Sequence, residues 1–357
     1  MLIQLAVMGI LAALLPLAIV WVSSDTDKYR KLVWVTLFLT FDLIMFGAFT
    51  RLTDSGLGCP DWPGCYGQAN PLQAHADINA AETAMPTGPV TVVKAWIEMI
   101  HRYLAMGIGV MIVAMMVIAW RRWLQSGRKE MKFSPLFPTL LFVFVCVQGA
   151  FGAWTVTMKL QPVIVTIHLL LGMALLALLT WLGARLSDHP PVPRSASVLL
   201  VPASLAAVVL AIQIALGGWV STNYAALACS DFPLCQGVLL PQMDFANGFS
   251  LWRDLGMTAQ GDYLPFPALT AIHWTHRAFA IVVAVLVGWV AFSAYKIVAL
   301  RKTARWLLIM IALQFAIGIL TIFLELPLAL AVAHNGGAAL LLLLLVMLNH
   351  KIRCAQH

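Results

Sequence analysis

Glu98-Met99-Ile100-His101-Arg102 sets a carboxyl group, an imidazole and a guanidinium at the start of an apolar run of membrane length. Ionisable side chains inside such a run are costly and are usually there for function. Glu98 and His101 are three residues apart, so on a helix they share a face. A carboxyl group there could move protons, and the imidazole could do the same or hold a metal. His273-Trp274-Thr275-His276-Arg277 repeats the idea at the start of a later apolar run.

The second copy belongs to a longer repeat, and repeats of this length reveal architecture. Gly47-Ala-Phe-Thr-Arg-Leu-Thr, followed by Cys59, Cys65 and Gly67, matches Gly217-Gly-Trp-Val-Ser-Thr-Asn, followed by Cys229, Cys235 and Gly237. Every position in this match is offset by 170 residues. His101-Arg102 matches His276-Arg277 at an offset of 175. Gln148-Gly-Ala-Phe-Gly152 with His168 matches Gln314-Phe-Ala-Ile-Gly318 with His334 at an offset of 166.

These residues must be positioned by membrane helices. Of the 357 residues 61% are hydrophobic and only 10% charged, with mean hydropathy +0.89, too little polar surface for a soluble globule. Apolar runs predict nine transmembrane helices near 2–22, 34–51, 95–120, 136–156, 163–185, 198–221, 270–295, 304–324 and 327–349. The expected fold is an all-α membrane protein: two duplicated four-helix bundles plus one extra N-terminal helix. The expected boundaries are 1–33 for the extra helix and its loop, 34–197 for the first half and 198–357 for the second. Four crossings per half give both halves the same membrane orientation.

The net charge of +7 is explained by topology rather than by nucleic-acid binding. Lys28, Arg30, Lys31, Arg121, Arg122, Arg128, Lys129, Lys132, Arg185, Arg194, Lys296, Arg301, Lys302, Arg305, Lys351 and Arg353 fall on one side, 16 of the 22 basic residues. By the positive-inside rule that side is cytoplasmic and the N-terminus is periplasmic. Residues 1–22 carry no Lys or Arg, unlike a signal or transit peptide, so they are expected to be a retained helix of a bacterial inner-membrane protein.

His101, His168, His276 and His334 each follow the outer entry of a helix by one and a half to two turns, a depth of roughly 7–11 Å. Histidines at matched depth on co-directional helices can approach one iron from opposite faces, as in bundles that hold cofactors between facing helices. Imidazole is a common axial ligand to haem iron. The pattern therefore points to haem held by His101 with His168 and by His276 with His334. Arg102 and Arg277 are the expected propionate partners. Glu98 has His273 as its counterpart, so the first half is expected to be reactive and the second a permanent redox haem. His273 reads as a packing or propionate contact rather than a ligand. His75, His189, His350 and His357 have no assigned role.

Cys59-Pro-Asp-Trp-Pro-Gly-Cys65 and Cys229-Ser-Asp-Phe-Pro-Leu-Cys235 sit in loops expected outside, where disulfides persist. Each pair reads either as a structural disulfide or as a redox or substrate-handling dithiol. Zinc would need further ligands at suitable spacing. Cys146 and Cys354 are expected to be free thiols. Asp42, within the second helix, is expected to be a buried carboxyl or part of a proton path.

With Glu98-x-x-His101-Arg102, His168, His276-Arg277, His334 and the loop cysteine pairs, the chain resembles the haem A synthase family over about residues 34–349. The resemblance implies oxidation of the C8 methyl group of haem O to a formyl group by successive hydroxylation, for the haem A of cytochrome oxidase. It implies that His276 and His334 ligate haem b, that His101 and His168 flank the substrate haem, and that Glu98 is essential to the chemistry. Cys59 with Cys65, and Cys229 with Cys235, would be the family's structural or functional pairs. Haem O synthase and cytochrome oxidase assembly factors are the implied partners. An external electron partner is needed, because the chain has no flavin or nicotinamide fingerprint. Two other readings share the four histidines: a quinol-linked di-haem b-type electron carrier, and a haem exporter or chaperone. The carrier requires neither Glu98 nor the cysteine pairs.

Overall fold

The computed structural model describes residues 1–128 and 134–355. Lys129, Lys132 and His357 lie outside the described residues. The described chain is helical, with only isolated bridges in its loops. The helices are α1 (Leu2–Val22), α2 (Lys28–Leu52), α3 (His75–Ala84), α4 (Val92–Gln125), α5 (Leu136–Thr157), α6 (Pro162–Arg185), α7 (Leu200–Thr222), α8 (Phe245–Gly248), α9 (Phe266–Tyr295), α10 (Arg301–Phe323) and α11 (Leu328–Arg353). A 3-10 turn, Arg194–Leu199, leads into α7.

Nine of the described helices are long and apolar enough to cross a membrane. In such a helix the backbone bonds internally, which lipid requires. The helices begin and end beyond the apolar windows where polar residues continue them. Asp27 caps α2 by accepting from Arg30 N at 3.1 Å, and Thr91 caps α4 by accepting from Lys94 N at 3.2 Å. The segment between α2 and α4 contains α3, whose sequence His-Ala-Asp-Ile-Asn-Ala-Ala-Glu-Thr-Ala is rich in alanine, a strong helix former. Glu82 on α3 accepts the N–H of Val92, tying the loop to the first turn of α4 at 3.0 Å.

The chain separates into two compact units. One comprises Met1–Leu160 with Ala174–Ser187, and the other Gln161–Met173 with Asp188–His357. In the first unit α4 is the central helix, packed by α1, α2, α3 and α5. Close contact between α1 and α4 depends on small residues. A Cβ at Gly9 would lie 2.9 Å from Met106 Cβ, and one at Gly107 would lie 3.0 Å from Ala12 Cβ. Leu5 of α1 joins the core beneath the first cysteine loop, with Cys59, Cys65, Ile78, Met99 and Tyr103.

Asp42 is exposed, which corrects the expectation of a buried carboxyl. The buried stripe of α2 runs through Tyr29, Val33, Thr36, Leu37, Thr40 and Thr50. Asp42 is two residues past Thr40, about 200° around the helix at 3.6 residues per turn, so it leaves the packed face.

In the second unit α7, α9, α10 and α11 close a ring, each packed on the next and α11 back on α7. This arrangement puts α9 and α11 on a diagonal. Ser204 on α7 donates to Asn349 Oδ1 at 2.9 Å, and Asn349 donates back to Ala203 O at 3.0 Å, which ties α7 to α11.

Candidate functional site

The two cysteine loops share one construction. Cys59–Cys65 and Cys229–Cys235 are disulfides, and Cys146 and Cys354 are free and exposed. Asp61 accepts the N–H groups of Tyr66 at 2.7 Å and Gly67 at 2.6 Å, while Asp231 accepts those of Gln236 at 2.7 Å and Gly237 at 2.9 Å. Gly67 and Gly237, at φ +71° and +78°, supply the left-handed turn that brings these N–H groups round to the carboxylate. These four bonds are the physical reason for an Asp two residues after the first cysteine of each pair.

In the first unit the loop is anchored to α4. Glu98 Oε2 accepts the N–H of Cys59 at 2.8 Å, and Glu98 Oε1 accepts from Arg102 Nη2 at 2.5 Å. Side-chain exposure is only 6% for Glu98 and 11% for Arg102, so each charge is compensated mainly by the other. Arg102 also donates to the carbonyls of Asp61, Pro63 and Gly64 at 2.6–3.3 Å. Tyr103 Oη reaches Ala69 O at 2.7 Å. Consecutive turns of α4 thus grip the loop from Cys59 to Ala69. Arg102, expected to meet a propionate, is engaged by Glu98 and the loop backbone.

His101 faces α2, where a Cβ at Gly47 would lie 3.1 Å from its Nε2 and the Phe46 ring stacks 6.1 Å away. His168 lies in the part of α6 grouped with the second unit. The association of His101 with His168 therefore rests on the sequence repeat.

The second unit repeats the anchor with different chemistry. His273 Nδ1 accepts the N–H of Cys229 at 3.1 Å, where Glu98 accepts from Cys59. Its Nδ1 is thus an acceptor committed to the loop. Arg277 donates to Leu234 O at 2.9 Å and Pro233 O at 3.3 Å and lies over the Phe232 ring at 5.3 Å. It has no carboxylate partner among the described ion pairs, and its buried Nη1 has no partner.

His276 on α9 and His334 on α11 each contact a Gln-x-x-x-Gly segment. Gln213 Nε2 lies 3.1 Å from both His276 Nδ1 and His276 O, and a Cβ at Gly217 would lie 3.0 Å from the ring. Gln314 Nε2 donates to His334 O at 2.8 Å, and a Cβ at Gly318 would lie 3.2 Å from that ring. Gln213 Oε1, Gln314 Oε1 and His334 Nδ1 are buried without partners. The sequence reading omitted Gln213, although it has the same spacing from Gly217 as Gln314 has from Gly318.

This donor set fits a haem. Two imidazoles stand on diagonal helices of an apolar bundle, and a buried guanidinium retains a free donor for a carboxylate.

A sequence model of the COX15-CtaA family, described as cytochrome oxidase assembly protein, matches residues 30–346. A Shewanella oneidensis protein named "Heme A synthase" is 41% identical over 326 residues, covering 90% of this chain and 96% of that protein. "Heme A synthase" of Erythrobacter litoralis is 30% identical over 332 residues, covering 85% and 90%. "Heme A synthase" of Rhodopseudomonas palustris is 28% identical over 331 residues, covering 85% of each chain. With the glutamate, arginines, histidines and cysteines inside the matched residues, the chain belongs to the COX15-CtaA family of cytochrome oxidase assembly proteins.

Proposed function

We propose that this chain is a haem A synthase, an oxidoreductase that converts the C8 methyl group of haem O to a formyl group by successive hydroxylation. The haem A formed serves the assembly of cytochrome oxidase. The family and its relatives support the reaction. At the residue level one contrast carries the reading. Glu98 and His273 accept the same cysteine N–H in their respective loops, yet only the first is a carboxylate, and it lies three residues from His101.

Glu98 is the acid–base group of the first half. The N–H of Cys59 and the guanidinium of Arg102 hold its two oxygens at a fixed position on α4. His101 and His168 flank the haem O substrate. Arg102 keeps the disulfide loop closed over this end of α4 and belongs to the substrate-haem site. In the second half His276 and His334 hold haem b, and Arg277 Nη1 is the donor for a propionate. When bound, haem supplies the redox chemistry that an inert methyl group requires. The protein orients the reactants and keeps side reactions out.

The chain is read as an N-terminal helix with its loop (1–33), a substrate-haem half (34–197) and a haem b half (198–357). Both disulfide loops follow an outward crossing, which supports a periplasmic position for them and for the N-terminus, with the C-terminus cytoplasmic, in a bacterial inner membrane. Haem O synthase, cytochrome oxidase assembly factors and an external electron donor or acceptor are the partners.

The test is expression with and without a haem O-making farnesyltransferase in a host lacking haem A, followed by chromatography of the extracted haems. Haem A that appears only with the farnesyltransferase, and is lost in Glu98→Ala while a bis-histidine b-type spectrum persists, is the expected result. Haem B alone in every strain, with normal reducibility, overturns the synthase reading in favour of a di-haem electron carrier.

A further inference from the structure

A histidine that binds iron through Nε2 carries its proton on Nδ1, and that N–H needs an acceptor to set the ring's rotation and basicity. The second unit has two such acceptors in reserve. Gln314 is already fixed to His334 by the bond from Nε2 to the histidine's own carbonyl. Its Oε1 has no partner, and neither has His334 Nδ1. Gly337, three residues beyond His334, leaves the space that this carboxamide oxygen occupies, for a Cβ there would run into it. Gln213 stands in the same relation to His276. Its amide touches both the ring nitrogen and the carbonyl, and its Oε1 is unpartnered.

The first half argues that Gln213 does more than pack. Gly47 meets the His101 ring as Gly217 meets His276, but Leu43 stands where the offset of 170 residues puts Gln213. A glycine is therefore enough to seat a histidine ring against a neighbouring helix. The glutamine beside His276 is an addition of the second half, whereas Gln314 beside His334 has Gln148, ahead of His168, as its first-half counterpart.

We propose that Gln213 and Gln314 are positioning residues for the two haem b ligands, Gln314 pinning its histidine's backbone through Nε2 while presenting Oε1 to the imidazole Nδ1–H, and Gln213 presenting Oε1 to the imidazole Nδ1–H of His276. The proposal rests on the reading that His276 and His334 hold haem b. For His276, moving the proton from Nε2 to Nδ1 on ligation turns the amide contact round, with the oxygen replacing the nitrogen at the ring. An acceptor at Nδ1 makes the imidazole a stronger electron donor, which favours ferric iron and lowers the haem's midpoint potential.

The experiment is redox titration of the full-length protein purified with its haem, together with electron paramagnetic resonance of the oxidised form, for Gln314→Leu, Gln314→Glu and Gln213→Leu. His334→Ala tests the underlying reading. Expected are retained b-type haem, an upward potential shift in both leucine variants, a downward shift in Gln314→Glu, and a change in the low-spin signal that reports ring orientation. Retained haem with unmoved potentials, or shifts of one sign in Gln314→Leu and Gln314→Glu, overturns the proposal and leaves the haem b assignment standing. If Gln314→Leu does not fold, the signs of Gln213→Leu and Gln314→Glu decide in the same way. An unchanged bis-histidine haem b signal in His334→Ala overturns the assignment and the proposal together.

Discussion

Glu98 Oε2 accepts the backbone N–H of Cys59 at 2.8 Å, so the carboxylate on α4 and the first disulfide are joined by one hydrogen bond across 39 residues of sequence. Arg102 closes the other side of the carboxylate at 2.5 Å and ties itself to three loop carbonyls. The proposed acid–base role and the loop anchor therefore fall on the same side chain.

Substitutions at Glu98 should separate the two roles. Glu98→Ala removes the N–H acceptor and strands the Arg102 charge, a loss of about 3 kcal/mol for a largely buried pair. Glu98→Gln keeps an acceptor for Cys59 and should cost less, while removing the ionisable group. The expected outcome is a lower melting temperature in detergent for Glu98→Ala than for Glu98→Gln, with haem A formation lost in both. Haem A formation at the normal rate in Glu98→Gln would show that loop anchoring alone is what Glu98 provides.

The two disulfides should contribute unequally to activity. Each closes a short loop, worth roughly 2 kcal/mol by the chain-entropy relation. Only Cys59–Cys65 lies against the carboxylate. Cys59→Ser with Cys65→Ser should reduce haem A formation more than Cys229→Ser with Cys235→Ser, as measured by haem chromatography. A membrane-permeant maleimide applied to the unreduced protein should label Cys146 and Cys354 alone.

Gly217 and Gly318 should resist substitution by alanine. The added Cβ would lie 3.0 Å from the His276 ring and 3.2 Å from the His334 ring, so each ring must yield by a few tenths of an ångström. Overpacking of this kind costs about 1–3 kcal/mol. Gly217→Ala and Gly318→Ala should purify with less b-type haem per chain, whereas alanine at Gly288, where the added Cβ meets open space, should leave haem content unchanged.

Asp231 predicts a pH dependence confined to the second loop. The N–H of Gly237, then that of Gln236, hold its carboxyl below the usual carboxylate range. A depressed folded value means that the stabilisation is fully present above the unfolded carboxyl value, about 3.9. It is lost as pH falls through the folded value. Amide exchange at Gln236 and Gly237 should stay slow down to about pH 4 and accelerate below it. Asp231→Asn should remove that acid transition.

Hydropathy was enough to read nine spans, because lipid imposes a length and a composition on any segment that crosses it. Spacing was enough to align Cys59 with Cys229 and to single out Glu98 beside His101, because the repeat preserves residue types at constant offsets. Burial of Asp42 was not legible, since apolar residues on every side of α2 conceal which stripe of the helix packs. Partner choice needed three dimensions. The bonds from Cys59 to Glu98, from Arg102 to the loop carbonyls and from Gln213 to His276 span 38 to 63 residues, and only the packing of helices and loops brings such donors within 3.3 Å of their acceptors. Sequence alone determined which groups are present and how they repeat along the chain. The tertiary structure decided which groups are already engaged, because hydrogen bonds are short-ranged and directional and a repeat pattern carries neither distance nor direction.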